Sequence, residues 1–184
     1  MSVVSDVGDA SAALRALDEN EIDVVILDIS IPGKSGLEIL AEIKTKRPDL
    51  PVLILSIHPE ESFGLRALRG GAAGYLTKQG STDELIRAIR TVHSGRTYLS
   101  PVLADKVTSQ LQSKTGGPFH EALSDREFQI LRLIGSGKTV NEIAEELYLS
   151  ANTVNTYRRR ILEKMGMNTT VELIHYAVEN GLSR

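Results

Sequence analysis

The stretch that most limits what this chain can fold into is residues 24–36, VVILDISIPGKSG. An unbroken apolar run, residues 24–27 with Ile22 just ahead of it, stops at the acid Asp28. A short run rich in Val and Ile, without polar alternation, reads as a strand covered on both faces, as in a parallel sheet. Asp28 then stands at the carboxyl end of that strand, where the loops of an open α/β sheet form the ligand crevice. Pro32-Gly33 turns the loop and Gly36 opens the next helix. A carboxylate at a strand end can be a metal ligand, a nucleophile or a helix-capping acid, and this stretch alone leaves the three open.

Two more buried runs repeat the arrangement. Residues 53–56 (LILS) end in the hydroxyl of Ser56, and residues 74–78 (GYLTK) end in the amine of Lys78. A helical segment separates each run from the one before. This order resembles the receiver domains of two-component response regulators, whose D-x-x-x-P-x-x-x-G signature is matched by Asp28, Pro32 and Gly36. Ser56 matches the family's Ser/Thr one strand later, Lys78 its lysine one strand after that, and Tyr75 its aromatic switch position. The resemblance implies that Asp28 is the phosphoacceptor, with Ser56 and Lys78 contacting the phosphoryl group and Ser56 and Tyr75 moving as the switch. It implies a Mg²⁺ site that uses Asp28 and the backbone carbonyl of Ser30. The resemblance further implies one more strand and helix ahead of Val3, with a pair of acids at that strand's end. Asp6 and Asp9 align with a later loop, so the acid pair is expected to be missing, the chain N-terminally truncated, and Mg²⁺ poorly held.

Composition sets outer bounds. The net charge of −3 gives no general attraction to nucleic acid, so any such function needs a local basic patch. The absence of cysteine excludes disulfides and thiolate metal sites. The four histidines lack ligand spacing; His58, near the Ser56 strand, is expected at the surface, with the crevice as the alternative. No apolar run approaches membrane-spanning length and the N-terminus lacks signal-peptide character, so a cytoplasmic protein without membrane partners is expected.

Taken in order, Val3-Val4 reads as a short strand and residues 10–17 as a helix. Leu37, Ile39, Leu40 and Ile43 mark an amphipathic helix that ends before Pro48. Another helix near residues 60–68 is stopped by Gly70-Gly71, and Ser81 with Glu84 forms a capping box for the next. Alternating strands and helices predict an α/β doubly wound parallel sheet, CheY-like by the resemblance and lacking its first strand and helix. Ser100-Pro101 starts one more helix. Residues 1–112 are assigned to the receiver, 113–121, with Gly116-Gly117-Pro118, to a linker, and 122–184 to a second domain.

That second domain reads as helices only. Ser124/Glu127, Thr139/Glu142 and Thr169/Glu172 are capping boxes and Ser150 is an N-cap, which gives four helices starting near Asp125, Val140, Ala151 and Thr170. The second and third, separated by a short turn, form a helix-turn-helix. In the third, Val154, Tyr157, Ile161 and Met165 share the inward phase, and Asn155, Thr156 and Arg159 lie opposite. Arg158, Arg159, Arg160 and Lys164 are opposed there by Glu163 alone, in a chain that is acidic overall. Charge alone would fit a solvated face. Residues 123–166, however, resemble a LuxR-type helix-turn-helix domain through almost every element. In that setting Asn155, Thr156 and Arg159 are expected at base edges, and Thr139, Ser150, Thr153, Arg158, Arg160 and Lys164 at phosphates.

Together the resemblances imply a DNA-binding transcriptional response regulator of the NarL/FixJ group. Its expected partners are double-stranded DNA, a histidine kinase that phosphorylates Asp28, and a second copy in a homodimer. Two other classes compete. A phosphatase resembling the haloacid dehalogenase group would need an acid two residues after the nucleophile, where this chain has Ser30. A phosphorylation-independent DNA-binding or dimerisation protein is favoured by the missing acid pair.

Overall fold

The computed structural model describes residues 1–31, 34–112 and 119–183, so the Pro32-Gly33 turn and the Gly116-Gly117-Pro118 segment lie outside the described residues. The chain divides into two compact units, Met1–Lys114 and Thr115–Arg184.

In the first unit β1 (Val25–Leu27), β2 (Val52–Ser56) and β3 (Gly74–Thr77) form one parallel sheet in the order β1-β2-β3. Val25 is in register with Val52, and Leu53 with Gly74. Between and around the strands run α1 (Ala10–Glu19), α2 (Gly36–Lys46), α3 (Glu60–Arg69), α4 (Thr82–His93) and α5 (Pro101–Gln112). Alternate strand residues face opposite sides. Leu53 and Leu76 pack with Ala88 and Val92 of α4, joined by Val24, Leu55, Ala73, Leu85, Ile89 and Tyr98. Ile54 and Tyr75 point the other way and are buried, as are Ile39, Leu40 and Ile43 of α2 and Phe63 of α3. The doubly wound α/β architecture is therefore the one present.

Some local expectations need correction. Val3-Val4 forms no strand: residues 1–7 have no regular structure, and Val3 is 85% exposed. A two-residue apolar stretch offers too few ladder bonds to hold itself in place, and among the described residues β1 pairs with β2 alone. β1 is also not covered on both faces, since Ile26 is 45% exposed. The Ser81–Glu84 box is half formed. Ser81 Oγ accepts from Glu84 N–H at 3.2 Å, but the Glu84 carboxylate takes the Tyr98 hydroxyl at 2.9 Å instead of the cap N–H. Tyr98 itself extends the sheet by a one-residue parallel bridge to Gly74.

The second unit contains a 3-10 turn (Phe119–Ala122) and α6 (Asp125–Gly135), α7 (Val140–Glu146), α8 (Ala151–Met165) and α9 (Thr170–Glu179). The Ser124/Glu127 and Thr139/Glu142 boxes are complete, and Ser150 caps α8 through Thr153 N–H at 3.0 Å. At α9 the box is altered: Glu172 accepts from Asn168 N–H and from the Thr169 hydroxyl. Residues 126–135 of α6 are buried throughout, including Arg126 and Arg132. Those guanidiniums are buried because they satisfy carbonyls at helix ends: Arg126 donates to Leu147 O at 3.0 Å and Arg132 to Leu182 O at 3.2 Å. The α7–α8 turn contains Tyr148 in the left-handed region at φ 54°, a conformation that a non-glycine residue adopts only where its surroundings impose it.

Candidate functional sites

In the first unit, the ends of β1, β2 and β3 bring Asp28, Ser56 and Lys78 together. Lys78 Nζ donates to Asp28 Oδ2 at 2.6 Å, a charge-assisted bond, and Ser30 N–H donates to Asp28 Oδ1 at 2.9 Å. Both carboxylate oxygens are thus engaged, while 26% of the side chain stays exposed, open to an incoming electrophile. Lys78 is fixed because its own N–H donates to Ser56 O at 2.8 Å, one step beyond the β2–β3 ladder. Gly36 allows the site to close: a Cβ there would lie 2.1 Å from Asp28 O.

Around this pair runs a chain of contacts. Ser56 is fully buried, and its Oγ accepts from His58 N–H at 3.2 Å. Tyr75, also fully buried, donates its hydroxyl to His58 O at 2.9 Å. The His58 ring lies 3.1 Å from Ser30 Oγ through Nε2, with its centroid 5.1 Å from that of Phe63. His58 therefore lines the crevice and is half-buried instead of lying at the surface. A signal was present in the spacing, since Ser30 and His58 each stand two residues beyond a strand-end site residue.

A divalent cation requires more oxygen ligands than this arrangement supplies. Among the described residues no group of three or more His, Cys, Asp or Glu side chains could hold a metal ion. One carboxylate and the Ser30 carbonyl are oxygen donors of the kind Mg²⁺ takes, and they leave most of an octahedral shell to phosphate and water.

In the second unit, α8 presents Asn155, Thr156, Arg159 and Arg160 to solvent, with Arg158 and Tyr157 half-buried and Val154, Ile161 and Met165 in the core. Arg159 makes a loose pair with Glu163 at 3.8 Å, both largely exposed, and Arg160 stacks over Tyr157 at 5.9 Å. Exposed pairs of this kind contribute little, so both guanidiniums are available to another partner. Three of the expected phosphate contacts are partly occupied: the Ser150 and Thr153 hydroxyls bond each other at 2.8 Å, and Thr139 Oγ1 donates to Glu142. Lys164 departs furthest from expectation, because its Nζ lies 2.6 Å from Glu127, a carboxylate only 4% exposed. Burial works against ionisation of Glu127, but hydrogen bonds from Lys164 and Ser124 outweigh it and hold the carboxyl below the usual range.

A parallel sheet with acid, hydroxyl and amine on successive strand ends, followed by a helix-turn-helix bundle, defines a receiver joined to a DNA-binding regulator. Residues 1–90 match the response regulator receiver domain family, and residues 121–177 match the bacterial regulatory proteins of the luxR family. The chain is 40% identical over 181 residues to the response regulator UvrY of Escherichia coli, covering 96% of this chain and 83% of that protein. It is 36% identical over 184 residues to the response regulator GacA of Pseudomonas aeruginosa, covering 99% and 86%. Among solved structures, a LuxR-family two-component response regulator from an Aurantimonas species superposes at a TM-score of 0.56 with 32% identity, over 61% of this chain and 80% of that one. The Salmonella typhimurium response regulator RcsB, at 24% identity over 94% of this chain and 81% of that one, shares the fold with a TM-score of 0.60. The chain belongs to the two-component response regulators of the NarL/FixJ group, DNA-binding regulators that pair a receiver with a LuxR-type helix-turn-helix domain.

Proposed function

We propose that this chain is a cytoplasmic transcription regulator that receives a phosphoryl group on Asp28 from a partner histidine kinase, binds duplex DNA through α8 as a homodimer, and turns over no separate substrate. The observation that carries the receiver half is the Asp28–Lys78 pair at 2.6 Å on the ends of β1 and β3. In the transfer an Asp28 carboxylate oxygen attacks the phosphorus of a phosphohistidine. The P–N bond breaks and its electron pair stays on the imidazole nitrogen. Lys78 then moves from the carboxylate to the new phosphoryl oxygens, and the Ser56 hydroxyl, whose proton is uncommitted by its contact with His58 N–H, donates to another. The Ser56 shift draws on the His58–Tyr75 contact, which makes Tyr75 the second half of the switch.

With Asp28 the one carboxylate argued for the site, Mg²⁺ is weakly held and transfer on this chain is slow. With acetyl phosphate and Mg²⁺, intact-mass measurement should show little modified protein, and what label appears should vanish in Asp28→Asn. Rapid stoichiometric labelling would overturn the slow transfer, and label persisting in Asp28→Asn would overturn the acceptor. The same observation favours a second reading, DNA binding independent of phosphorylation. Selection from a random duplex pool with and without acetyl phosphate separates the two: identical affinity in both arms supports the constitutive regulator.

A further inference from the structure

One face of α4 has no part in the phosphoacceptor site and carries an unexplained concentration of positive charge. Asp83, Ile86, Arg87, Arg90, Thr91 and Arg96 line an open groove of about 430 Å³. Arg87 and Arg90 stand one turn apart on the same helix face. Arg96 joins them from beyond the helix: Gly95, at φ 78°, reverses the chain, and Arg96 N–H returns to Thr91 O at 3.3 Å. All three arginines are exposed. Arg96 Nε donates to the Ser94 hydroxyl at 3.2 Å. Among the described residues neither Arg87 nor Arg90 has a side-chain hydrogen bond or a carboxylate within salt-bridge distance. Asp83, the one acid of the lining, leaves them unpaired, so three guanidiniums face one carboxylate in a chain of net charge −3.

We propose that this arginine groove is a second contact for the phosphate backbone of the DNA that the helix-turn-helix unit binds. The proposal rests on the DNA-binding reading and adds a surface to it. The lining chemistry favours phosphate over a protein partner. All three cations are arginines, whose planar fork matches phosphate oxygens two at a time. The lining holds a single apolar side chain, Ile86, and no aromatic, whereas the centre of a protein interface is apolar and aromatic. Contacts to phosphate carry no sequence information, so the groove should add affinity and salt dependence without altering sequence preference.

The test uses the full chain, a duplex it selects from a random pool, and a scrambled duplex of equal length, titrated across a salt series. Each phosphate contact adds about 0.9 to the slope of log affinity against log salt. Arg87→Ala/Arg90→Ala should therefore flatten the slope by roughly two on both duplexes alike, and Arg87→Lys/Arg90→Lys should restore most of it. Between 50 and 200 mM salt the wild type would then give up roughly tenfold more affinity than the alanine variant. Unchanged slopes overturn the proposal. If slopes are unchanged while self-association measured by sedimentation weakens, the groove serves a second copy of the chain, which also overturns it. Arg159→Ala separates this failure from failure of the DNA reading. Loss of sequence preference in that variant, with unaltered slopes in the α4 variants, removes the groove alone, while a wild type that binds neither duplex removes both.

Discussion

Glu127 is nearly buried, and the Lys164 ammonium reaches it at 2.6 Å across the helical bundle. Lys164 is thereby committed to holding α8 against α6, and it is a positioning residue before it is a phosphate contact. Lys164→Met should destabilise the second unit by about 2 kcal/mol at neutral pH, because it removes a hydrogen bond to a buried charge. The pH dependence has a definite sign. The folded Glu127 carboxyl is held below its unfolded value, so its stabilisation is present above that unfolded value and is lost as pH falls through the folded one. Urea unfolding at neutral pH and at about pH 4 should show the gap between wild type and variant narrowing on the acid side. Equal stability at neutral pH would contradict the assignment. Asp28, Ser56 and Lys78 were legible in the sequence because each is set by its own strand end. The Lys164–Glu127 pair was not, because a contact between residues of different helices leaves no local spacing to read.

Among the elements, helix starts were the most readable feature, since Ser or Thr followed three residues later by Glu is a local device that acts wherever it occurs. Ser35 and Glu38 form such a box at α2 as well, with Ser35 N–H donating to Glu38 at 3.0 Å. At α4 the exception has a tertiary cause, whereas the altered box at α9 uses local partners alone. Glu84 leaves its cap for the Tyr98 hydroxyl, and burial together with that contact raises the Tyr98 pKa above its ordinary value. The α2 start is also where the fold is least tolerant. Gly36→Ala would place a methyl group 2.1 Å from Asp28 O and 2.6 Å from Ile29 Cα, backbone atoms that cannot swing aside. The expected cost is about 3 kcal/mol in urea unfolding, together with weaker labelling of Asp28. A variant with wild-type stability would show that α2 can shift away from β1 freely.

At the scale of the whole molecule, β1 pairs with β2 only, leaving its other edge without a partner among the described residues, and Ile26 on it is 45% exposed. Unpaired edges recruit other chains. Concentration-dependent association should therefore run through this edge, and Ile26→Lys should weaken it, because a charge on an edge strand opposes edge-to-edge pairing. Sedimentation velocity across a concentration series reads this directly; association unchanged by Ile26→Lys would place the contact elsewhere. Val3-Val4, expected as a strand, forms none and so does not close this edge. The longer apolar runs marked β1, β2 and β3, but strand partners are chosen by packing over the whole unit.

The central claim is that α8 reads base edges with the face carrying Asn155, Thr156 and Arg159. Arg159 is exposed and, among the described residues, held by a loose pair with Glu163 alone, so it can give two parallel hydrogen bonds to a guanine. Binding of Arg159→Ala to a selected and a scrambled duplex measures the claim directly. The account predicts a loss of about 5- to 150-fold on the selected duplex, from 1–3 kcal/mol of base discrimination, with little change on the scrambled one. Arg160→Ala should weaken both alike and flatten the salt dependence by about one unit. An equal loss on both duplexes for Arg159→Ala would contradict the claim and turn a different face of α8 toward the bases.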